Sequence, residues 1–387
     1  MRAIHCLNNI SEKGTDLLTD DYVITRDINR ASGILVRSAA LHETEFPETL
    51  LSIARAGAGV NNIPLDRCAE QGIVVFNTPG ANANAVKELV LCGLLLGSRG
   101  ILDGIAWCRD NASDPDLLKA AEKAKKTYGG HEILGKKLGV IGLGAIGAMV
   151  ANAAVELGMD VYGYDPYVSV GSAWRIDSKV HYVSKLKELL GECDFVTIHA
   201  PAVKDTIGMI DAGAFAAMKD GVVLLNFARE TLVDTAALKQ ALESGKLAEY
   251  ITDFPTPEVM AMPNTIALPH LGASTEEAEE NCAIMAVNQT MDYLENGSIV
   301  NSVNYPNTPL PPCAGNGTRL AVLHENVPNV LSQLTAFIGN AGININNLVN
   351  NAREHNAYTV MDLSDSAPEN TSEALFAIEG VRRVRVL

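Results

Sequence analysis

Short apolar runs alternate with helical patterns over most of the first 300 residues, and the runs end in polar residues. Examples are Phe195–His199, Val222–Asn226 and Tyr250–Asp253. Alternation of buried strands with helices is typical of parallel α/β sheets, which bind ligands at the carboxyl ends of their strands. The pattern predicts two doubly wound, Rossmann-like parallel sheets with functional residues at the strand ends.

The divisions of the chain follow from changes in this pattern. A helix predicted at residues 274–296, with Ser274 and Glu277 as a capping box, carries the chain back to its first part. The expected divisions are a discontinuous substrate-binding domain (1–97 with 272–300), a dinucleotide-binding domain (98–271), a linker rich in Pro, Asn and Gly (301–317) and a regulatory tail (318–387).

The tail has its own pattern, a strand, a helix, two strands, a helix and a last strand. The predicted elements are Arg319–Leu323, Val330–Asn340, Ile343–Val349, Tyr358–Leu363, Glu373–Ile378 and Val381–Val386. The order βαββαβ predicts a small ferredoxin-like domain.

The stretch from residue 137 to residue 165 contains three glycines between two apolar runs. Gly142 permits a sharp turn, Gly144 leaves room for a pyrophosphate, and Gly147 allows a helix to pack closely on the strand. Asp165 follows 23 residues after Gly142, where a carboxylate binds the ribose hydroxyls of NAD and repels the 2′-phosphate of NADP. The stretch predicts an NAD site; the alternative is a glycine-rich turn in another kind of parallel sheet.

Composition excludes several classes of function. The chain has 387 residues, 47% of them hydrophobic, and a net charge of −16, which argues against nucleic acid and anionic membranes as partners. No window reaches the length of a membrane span, and the first residues lack the apolar core of a signal peptide. We expect a cytoplasmic enzyme that acts on a small molecule.

The cysteines show no metal-binding spacing. They are Cys6, Cys68, Cys92, Cys108, Cys193, Cys282 and Cys313. Scattered cysteines of this kind predict reduced thiols and no metal site.

Three residues after the glycine turn have the types that oxidation of a 2-hydroxy acid needs. The guanidinium of Arg229 would bind the substrate carboxylate, and the imidazole of His270 would take the hydroxyl proton. The carboxylate of Glu258 would hold the other ring N–H of the histidine. Each residue alone has a plainer interpretation, as an ion-pair partner, a solvated acid or a loop residue, and the order of the three carries the hypothesis.

The chain resembles the D-isomer-specific 2-hydroxyacid dehydrogenase family, in particular its branch that acts on D-3-phosphoglycerate and carries an ACT domain. The matching stretches are VRSAA, IARAGAGVNNI, NTPGANANAVKELV, LGKKLGVIGLGAIG, VYGYDP, VTIHAP, LLNFARE, PHLGAST and HENVPNVL. The resemblance implies the catalytic triad Arg229, Glu258 and His270.

The resemblance also implies which residues contact the ligands. The implied cofactor-binding residues are Gly142, Gly144, Ala145, Ile146, Gly147, Asp165, His199, Phe227, Ala228, Arg229, Asp253, His270, Gly272 and Ala273. The implied substrate-binding residues are Arg37, Ser38, Arg55, Ala56 and Gly57, with Asn82 as an addition. We interpret His199 as a structural residue on the cofactor side rather than a catalytic one.

The chain departs from the family pattern at five places, one of which is a shorter loop from Glu258 to His270. Asn61 stands where Asp is usual, Glu230 follows the catalytic Arg where Gly is common, and Pro257-Glu258 inverts the usual Glu-Pro. In the tail, Asn329 replaces a Gly, which predicts a change in the shape of that loop.

The tail resembles an ACT domain, a module that often binds amino acids between two copies. By that resemblance His324, Asn326 and Asn344 would bind L-serine as a feedback inhibitor. The alternative is a tail that serves only for dimerisation.

The leading hypothesis is therefore NAD-dependent oxidation of D-3-phosphoglycerate to 3-phosphohydroxypyruvate by a homodimer or homotetramer. One alternative is a reductase of hydroxypyruvate, glyoxylate or pyruvate, and another is a non-enzymatic NAD-sensing corepressor. Phosphate recognition separates the first two. Arg37 and Arg55 would supply the charge, with Lys87 and the run Lys123–Lys126 as additions, although such a run is usually a solvated face.

Overall fold

The structure, a computed structural model, describes residues 1–312 and 317–387, which form two compact units. The first unit comprises Met1–Asn82 and Glu279–Leu387, and the second comprises Ala83–Ala278. The predicted return of the chain to its first domain is thus present, with the crossing point inside the long helix.

The elements follow the predicted alternation. The strands are β1 Arg2–Leu7, β2 Tyr22–Thr25, β3 Gly33–Val36, β4 Ser52–Arg55, β5 Val74–Phe76, β6 Lys137–Ile141, β7 Asp160–Tyr164, β8 His181–Tyr182, β9 Phe195–Ile198, β10 Val222–Asn226, β11 Leu247–Thr252, β12 Thr265–Ala267, β13 Arg319–Glu325, β14 Ile345–Arg353, β15 Asn356–Leu363 and β16 Val381–Val386. The α-helices are α1 Glu12–Thr15, α2 Leu65–Glu70, α3 Ala83–Leu96, α4 Ile101–Asp110, α5 Leu117–Ala124, α6 Ala145–Glu156, α7 Val170–Ala173, α8 Leu186–Glu192, α9 Ala212–Ala217, α10 Thr235–Glu243, α11 Pro257–Met260, α12 Glu276–Asn296, α13 Val330–Asn340 and α14 Thr371–Phe376.

Both predicted parallel sheets are present. In the first unit the strand order is β2-β1-β3-β4-β5, and in the second it is β12-β11-β10-β9-β6-β7-β8. All strand pairs in the two sheets are parallel. The strand order reverses between β1 and β3 in one sheet and between β6 and β9 in the other. Open α/β sheets bind ligands at these switch points, beyond the carboxyl ends of the strands.

Helix α3 belongs to the second unit, although the sequence assigned it to the first domain. Its residues Val86, Val90 and Leu94 are buried in one apolar cluster with Leu138 and Val140 of β6. Packing on α6 and β10, rather than position in the chain, decides where the helix belongs.

The tail has the predicted ferredoxin-like topology. Its sheet is antiparallel, with the order β14-β15-β13-β16, and α13 and α14 connect the strands as expected. Asn329 has a φ of 70°, the left-handed conformation that Gly adopts readily and Asn tolerates. The replacement of Gly by Asn therefore keeps a glycine-like backbone at this position.

The tail sheet shares its core with the rest of the first unit. Leu323 and Tyr358 of the tail form one buried cluster with Phe76, Tyr293 and Tyr305. Because apolar burial is the largest favourable term in folding, the tail and the first parallel sheet stabilise each other.

Arginines of the tail also bind the carboxyl end of α12. Arg385 donates hydrogen bonds to the carbonyls of Tyr293 (2.9 Å) and Leu294 (2.8 Å), and Arg319 donates to that of Asn296 (2.9 Å). The last carbonyls of a helix lack partners within the helix and carry its negative dipole end, so guanidinium groups stabilise this terminus.

The predicted linker at residues 301–317 is packed rather than extended through solvent, as far as residue 312. Asn304 accepts a hydrogen bond from the N–H of Val75 (2.9 Å), and Tyr305, fully buried, donates to the carbonyl of Ala69 (2.7 Å). These side chains fill the edge beside β5, which Pro and Asn content alone could not reveal. Cys313, within the predicted linker, lies outside the described residues.

The long helix begins two residues later than predicted, with a different cap. Thr275 accepts the hydrogen bond from the N–H of Ala278 (3.1 Å), while the hydroxyl of Ser274 donates to the carbonyl of His270 (3.3 Å). The predicted capping box at Ser274 and Glu277 is wrong because Ser274 bonds back to the preceding loop.

Within the described residues no single helix is long and apolar enough to cross a membrane. Helices α3 and α4 together meet the length and composition, but they are bent by 70° relative to each other.

We expect Leu323→Ala to lower the free energy of unfolding by about 2–5 kcal/mol, because it opens a cavity in the shared core. Denaturant unfolding followed by fluorescence measures the change, and we expect one cooperative transition for the tail and the first sheet together. The control is Leu348→Ala on β14, where the side chain is 39% exposed and the loss is expected to be about 0.5 kcal/mol or less. Two separate transitions, with Leu323→Ala lowering only the stability of the tail, would contradict the shared core.

Candidate active site

The glycine turn of the second unit lies at the switch point of its sheet, directly after β6. Gly142 has a φ of 90° and follows β6, and a Cβ there would lie 2.6 Å from the carbonyl oxygen of His199. A Cβ on Gly147 would lie 1.8 Å from the carbonyl oxygen of Gly142, so only glycine allows α6 to begin this close to the strand. A Cβ on Gly144 would meet nothing within 4 Å. The space beside Gly144 is where a phosphate can approach the first N–H groups of α6, at Ala145 and Ile146.

Asp165 follows β7 and holds this turn in place. Its carboxylate accepts hydrogen bonds from the N–H groups of Leu143 (2.9 Å) and Tyr167 (2.8 Å). A carboxylate has about four acceptor positions, so two remain for other donors such as ribose hydroxyls. The sequence prediction placed Asp165 on a ribose; the backbone contacts add a structural role.

His199 directly follows β9, beside the glycine turn. Its Nε2 is 3.0 Å from the Thr197 hydroxyl, and its backbone N–H donates to the carbonyl of Ile141 (2.7 Å). Burial lowers the pKa of the imidazole to about 3, so it stays uncharged above that pH. These contacts agree with the interpretation of His199 as a structural residue.

A second cluster forms where β11 ends. Asp253 is 1% exposed; its carbonyl accepts from the N–H of His270 (3.0 Å), and its Oδ2 accepts from the N–H of Gly272 (2.9 Å). Burial raises the pKa of Asp253, against the opposing effects of the Gly272 N–H and of the charges of His270 and Arg229. The structure thus brings Asp253, His270 and Arg229 within electrostatic reach of one another.

The loop of His270 is held in a fixed conformation. His270 has a φ of 49°, unusual for a residue with a side chain, and its exposed ring stands edge-on to Phe254 at 5.1 Å. Positive φ in a non-glycine residue is a strained conformation that occurs often at functional sites.

Arg229 and Glu258 are both exposed. Asn226, at the end of β10, donates to the carbonyl of Arg229 (2.9 Å) and so orders the loop after this strand. Glu258 lies on α11, which Thr256 caps, and no hydrogen bond or ion pair joins its carboxylate to His270 in the part of the chain that the structure describes. The predicted pairing of these two side chains remains a prediction.

The other residues predicted to contact the cofactor differ in how far they are buried. The side chain of Phe227 is 6% exposed and packs in the core, so only its backbone faces the loop. Ala228 and Ala273 are half-buried, and Gly272 is buried. A Cβ on Gly272 would lie 3.0 Å from Oδ2 of Asp253, so this position favours glycine.

The predicted substrate residues come together in the first unit. The Arg55 Nε donates to the carbonyl of Arg37 (3.0 Å), and the N–H of Ala56 donates to that of Val36 (2.8 Å). The N–H of Gly57 donates to the hydroxyl of Thr78 (2.7 Å). Two guanidinium groups therefore lie at the carboxyl ends of adjacent strands, Arg37 just after β3 and Arg55 at the end of β4.

The remaining cationic and amide candidates lie apart from this group. Ser38 follows Arg37 in the same loop, and Asn82 is half-buried at the end of the first unit. Lys87 donates to Oδ1 of Asn84 (2.6 Å) in the second unit. The lysines of the run Lys123–Lys126 are exposed, and Lys125 pairs with Glu122, so the run forms a solvated face.

In the tail, His324 is committed to internal contacts. The side chain is 3% exposed, with Nδ1 2.7 Å from the carbonyl oxygen of Glu325 and Nε2 2.8 Å from the Thr359 hydroxyl. Burial lowers the pKa of this imidazole. Asn326 and Asn344 are exposed. Among the described residues, no group of three acidic, histidine or cysteine side chains could hold a metal ion.

Comparison with known proteins decides the family. The sequence profile of the D-isomer specific 2-hydroxyacid dehydrogenase NAD binding domain matches residues 94–272. A D-3-phosphoglycerate dehydrogenase of Escherichia coli (strain K12) is 35% identical over 95% of this chain and 90% of its own length. The chain belongs to the D-isomer-specific 2-hydroxyacid dehydrogenases.

Other members of the family extend the likeness. A D-3-phosphoglycerate dehydrogenase of Haemophilus influenzae is 35% identical over 89% of this chain and 82% of its own length. The NAD⁺-bound 3-phosphoglycerate dehydrogenase of Entamoeba histolytica superposes with a TM-score of 0.62, covering 78% of this chain and 98% of its own at 28% identity. This chain is accordingly an NAD-dependent dehydrogenase.

The residues of the second unit fit this cofactor. The open space at Gly144 lies before the free N–H groups of a 12-residue helix, α6. Oδ1 of Asp253 is buried without a hydrogen-bond partner in the described chain, an acceptor that a carboxamide N–H of the cofactor would satisfy. A bound dinucleotide would place its phosphates at the N–H groups of α6 and a hydrogen-bond donor at the buried oxygen of Asp253.

Three residues that sequence reasoning missed support the site. Asn8 and Asn226 bond the loops that carry Arg37 and Arg229, and Glu279 pairs with Arg37. Asn8 and Asn226 each follow an apolar run, so the strand-end rule applied elsewhere could have found them. Glu279 lies on a helix among other acids, and the sequence offered no signal for it.

Proposed function

We propose that this dehydrogenase oxidises D-3-phosphoglycerate to 3-phosphohydroxypyruvate, the first step of L-serine biosynthesis. The observation that carries the proposal is the 35% identity over 95% of the chain, tail included, to the Escherichia coli enzyme of that name. The two guanidinium groups of the first unit support a substrate with a phosphate, because Arg binds phosphate in a two-pronged fashion.

The residues of the second unit would carry out the chemistry. Arg229 would bind the substrate carboxylate, and His270 would accept the proton of the 2-hydroxyl group. Glu258 would accept the other ring N–H of His270 and stabilise the charged imidazole. NAD, when bound, supplies the acceptor for the hydride that leaves the same carbon.

The cysteines and the exposed apolar residues support a proposal for the location and the oligomeric state of the enzyme. The six described cysteines are free, which supports a cytoplasmic location. Helix α4 buries none of its side chains and exposes Ile101, Leu102 and Ile105. Exposed apolar residues on one helix favour coverage by a second copy, so we propose a homodimer or a homotetramer.

A panel of substrates tests the activity. We expect NADH formation with D-3-phosphoglycerate, with a kcat/KM at least tenfold higher than for unphosphorylated D-2-hydroxy acids, since one charge-assisted contact is worth about 1.5–3 kcal/mol. NADP should be a poor cofactor, because Asp165 would face its 2′-phosphate. Faster reduction of hydroxypyruvate, glyoxylate or pyruvate would identify a reductase of those acids. No turnover of any substrate would favour the NAD-sensing corepressor.

Variants of His270, Glu258 and Asp253 test which residues transfer the proton of the substrate hydroxyl. His270→Ala should lower kcat by about 10²–10⁴-fold, as expected for loss of a general base. Glu258→Gln should move the acidic limb of the pH profile of kcat/KM to lower pH, because the imidazolium loses its charged partner. The comparison variant is Asp253→Asn. If only Asp253→Asn moves the limb, Asp253 is the partner of His270 and Glu258 is not.

The tail would bind L-serine as a feedback inhibitor, as an ACT domain does. With His324 buried, the exposed amides of Asn326 and Asn344 would bind the ligand. The packed segment before the tail speaks against a swinging hinge, so inhibition would need a serine-bound arrangement that differs in affinity from the free one.

Calorimetry with L-serine tests this regulation. We expect heat of binding and inhibition at millimolar serine, both lost in Asn344→Ala, because the amide side chain supplies a donor and an acceptor. The control is Asn340→Ala, an exposed residue at the end of α13. An absence of heat and of inhibition in the unaltered protein would leave the tail a structural and dimerisation module.

A further inference from the structure

The switch point of the first sheet carries charged and polar side chains, as a ligand site would. Strands β1 and β3 lie side by side there, and Asn8 and Arg37 follow them directly. Arg55 is the last residue of the next strand, β4. Under the proposed function these arginines bind the anionic groups of the substrate, and the inference below rests on that function.

Asn8 fixes the backbone of this site. Its Oδ1 accepts hydrogen bonds from the successive N–H groups of Ser38 (3.0 Å) and Ala39 (2.9 Å), with Arg37 at 3.3 Å. Asn8 has a φ of 69°, which a long or branched side chain would adopt only with strain. Because the loop after β3 is held at three points, movement at Arg37 is confined to its side chain.

The Arg37 guanidinium forms an ion pair with the carboxylate of Glu279 on α12. The two side chains are 41% and 42% exposed, so water reaches both of them. Arg55 belongs to the same group through its bond to the Arg37 carbonyl. A carboxylate paired with a guanidinium occupies the position that a substrate carboxylate or phosphate would take.

Cys282, one turn further along α12, lies within reach of the same charges. Burial raises the pKa of its thiol; a hydrogen bond with Thr78 and the charges of Arg55 and Arg37 oppose the rise, and Glu279 adds to it. The two guanidinium groups and the carboxylate of Glu279 therefore lie in one local cluster of the first unit.

We propose that Glu279 is an internal counter-anion for Arg37, which an anionic group of the substrate displaces, and that Glu279 thereby sets the affinity for phosphorylated substrates. A half-exposed ion pair is weak, equivalent to a factor of roughly 1.5 to 5 in an equilibrium constant, so the exchange is readily made. A dianionic phosphate is repelled by the carboxylate more strongly than a monoanion is, because Coulomb repulsion grows with charge. Glu279 thus opposes the binding of doubly charged ligands most.

The competing interpretation predicts the opposite sign. If Glu279 served to orient Arg37, its loss would leave the guanidinium disordered and would weaken the binding of every anionic substrate. The sign of the change in KM therefore separates a counter-anion from a positioning residue.

The variant is Glu279→Gln, with Glu280→Gln as the matched control. Glu280 is the next residue of α12 and pairs with Lys13 at 2.7 Å, so both variants remove one charged partner of a salt bridge from the same helix. We expect Glu279→Gln to lower the KM for D-3-phosphoglycerate roughly two- to fivefold, and to lower that for an unphosphorylated D-2-hydroxy acid less. Glu280→Gln should leave both KM values unchanged. A raised KM in Glu279→Gln, or the same change in both variants, would overturn the proposal.

A double variant isolates the pair. In an Arg37→Ala background, Glu279→Gln should lower the KM less than it does alone, because the carboxylate no longer competes for a guanidinium and only its repulsion of the phosphate remains. An undiminished fall in KM would show that Glu279 does not act through Arg37 and would contradict the assignment.

Binding of inorganic phosphate tests the exchange without turnover. Phosphate should raise the thermal midpoint more in Glu279→Gln than in the unaltered protein or in Glu280→Gln, since less competition tightens binding. If D-3-phosphoglycerate is not oxidised but this difference is found, the proposed function fails and the inference stands. If oxidation is found without this difference, the inference fails and the function stands.

Discussion

Backbone N–H and C=O groups at the ends of buried strands must find partners, because an unsatisfied one costs about 1–3 kcal/mol. In both parallel sheets, short amide and carboxylate side chains at the strand ends meet this demand. Asn8 and Asp165 accept loop N–H groups, Asn226 binds both an N–H and a carbonyl, and Asp253 accepts the N–H of Gly272. The loops held in this way carry the arginines, the histidine and the glycine turn, so the geometry of the site depends on these bonds.

The same side chains leave specific acceptors and cations for ligands. Asp165 keeps acceptor positions beyond its two backbone bonds, and a buried oxygen of Asp253 has no donor among the described residues. Arg37 has its charge balanced by a half-exposed carboxylate that is easily exchanged. The same polar side chains at the strand ends thus hold the loops in place and remain able to bind ligands.

The tail illustrates how a domain can be recognised correctly while its relation to the rest of the chain is misjudged. Its βαββαβ order followed from the periodicity of residues 318–387, and the strand order agrees with it. Its docking did not follow, because the partners of Leu323, Arg319 and Arg385 lie on elements distant in sequence. A Pro- and Asn-rich segment indicates only that regular helix is absent; it does not indicate exposure.

The sequence by itself determined the order of strands and helices, the glycine turn and the residue types that oxidation of a 2-hydroxy acid needs. These properties are local. Hydrophobic periodicity indicates which face of an element is buried, and a glycine indicates a special backbone conformation or a close approach of another group to the backbone. Only the tertiary structure decided that α3 packs on α6 and β10, that Thr275 rather than Ser274 caps the long helix, and that His324 is buried. The same holds for the pairing of Arg37 with Glu279, which are 242 positions apart. Such contacts depend on which surfaces meet when the chain folds, and no local pattern contains that information.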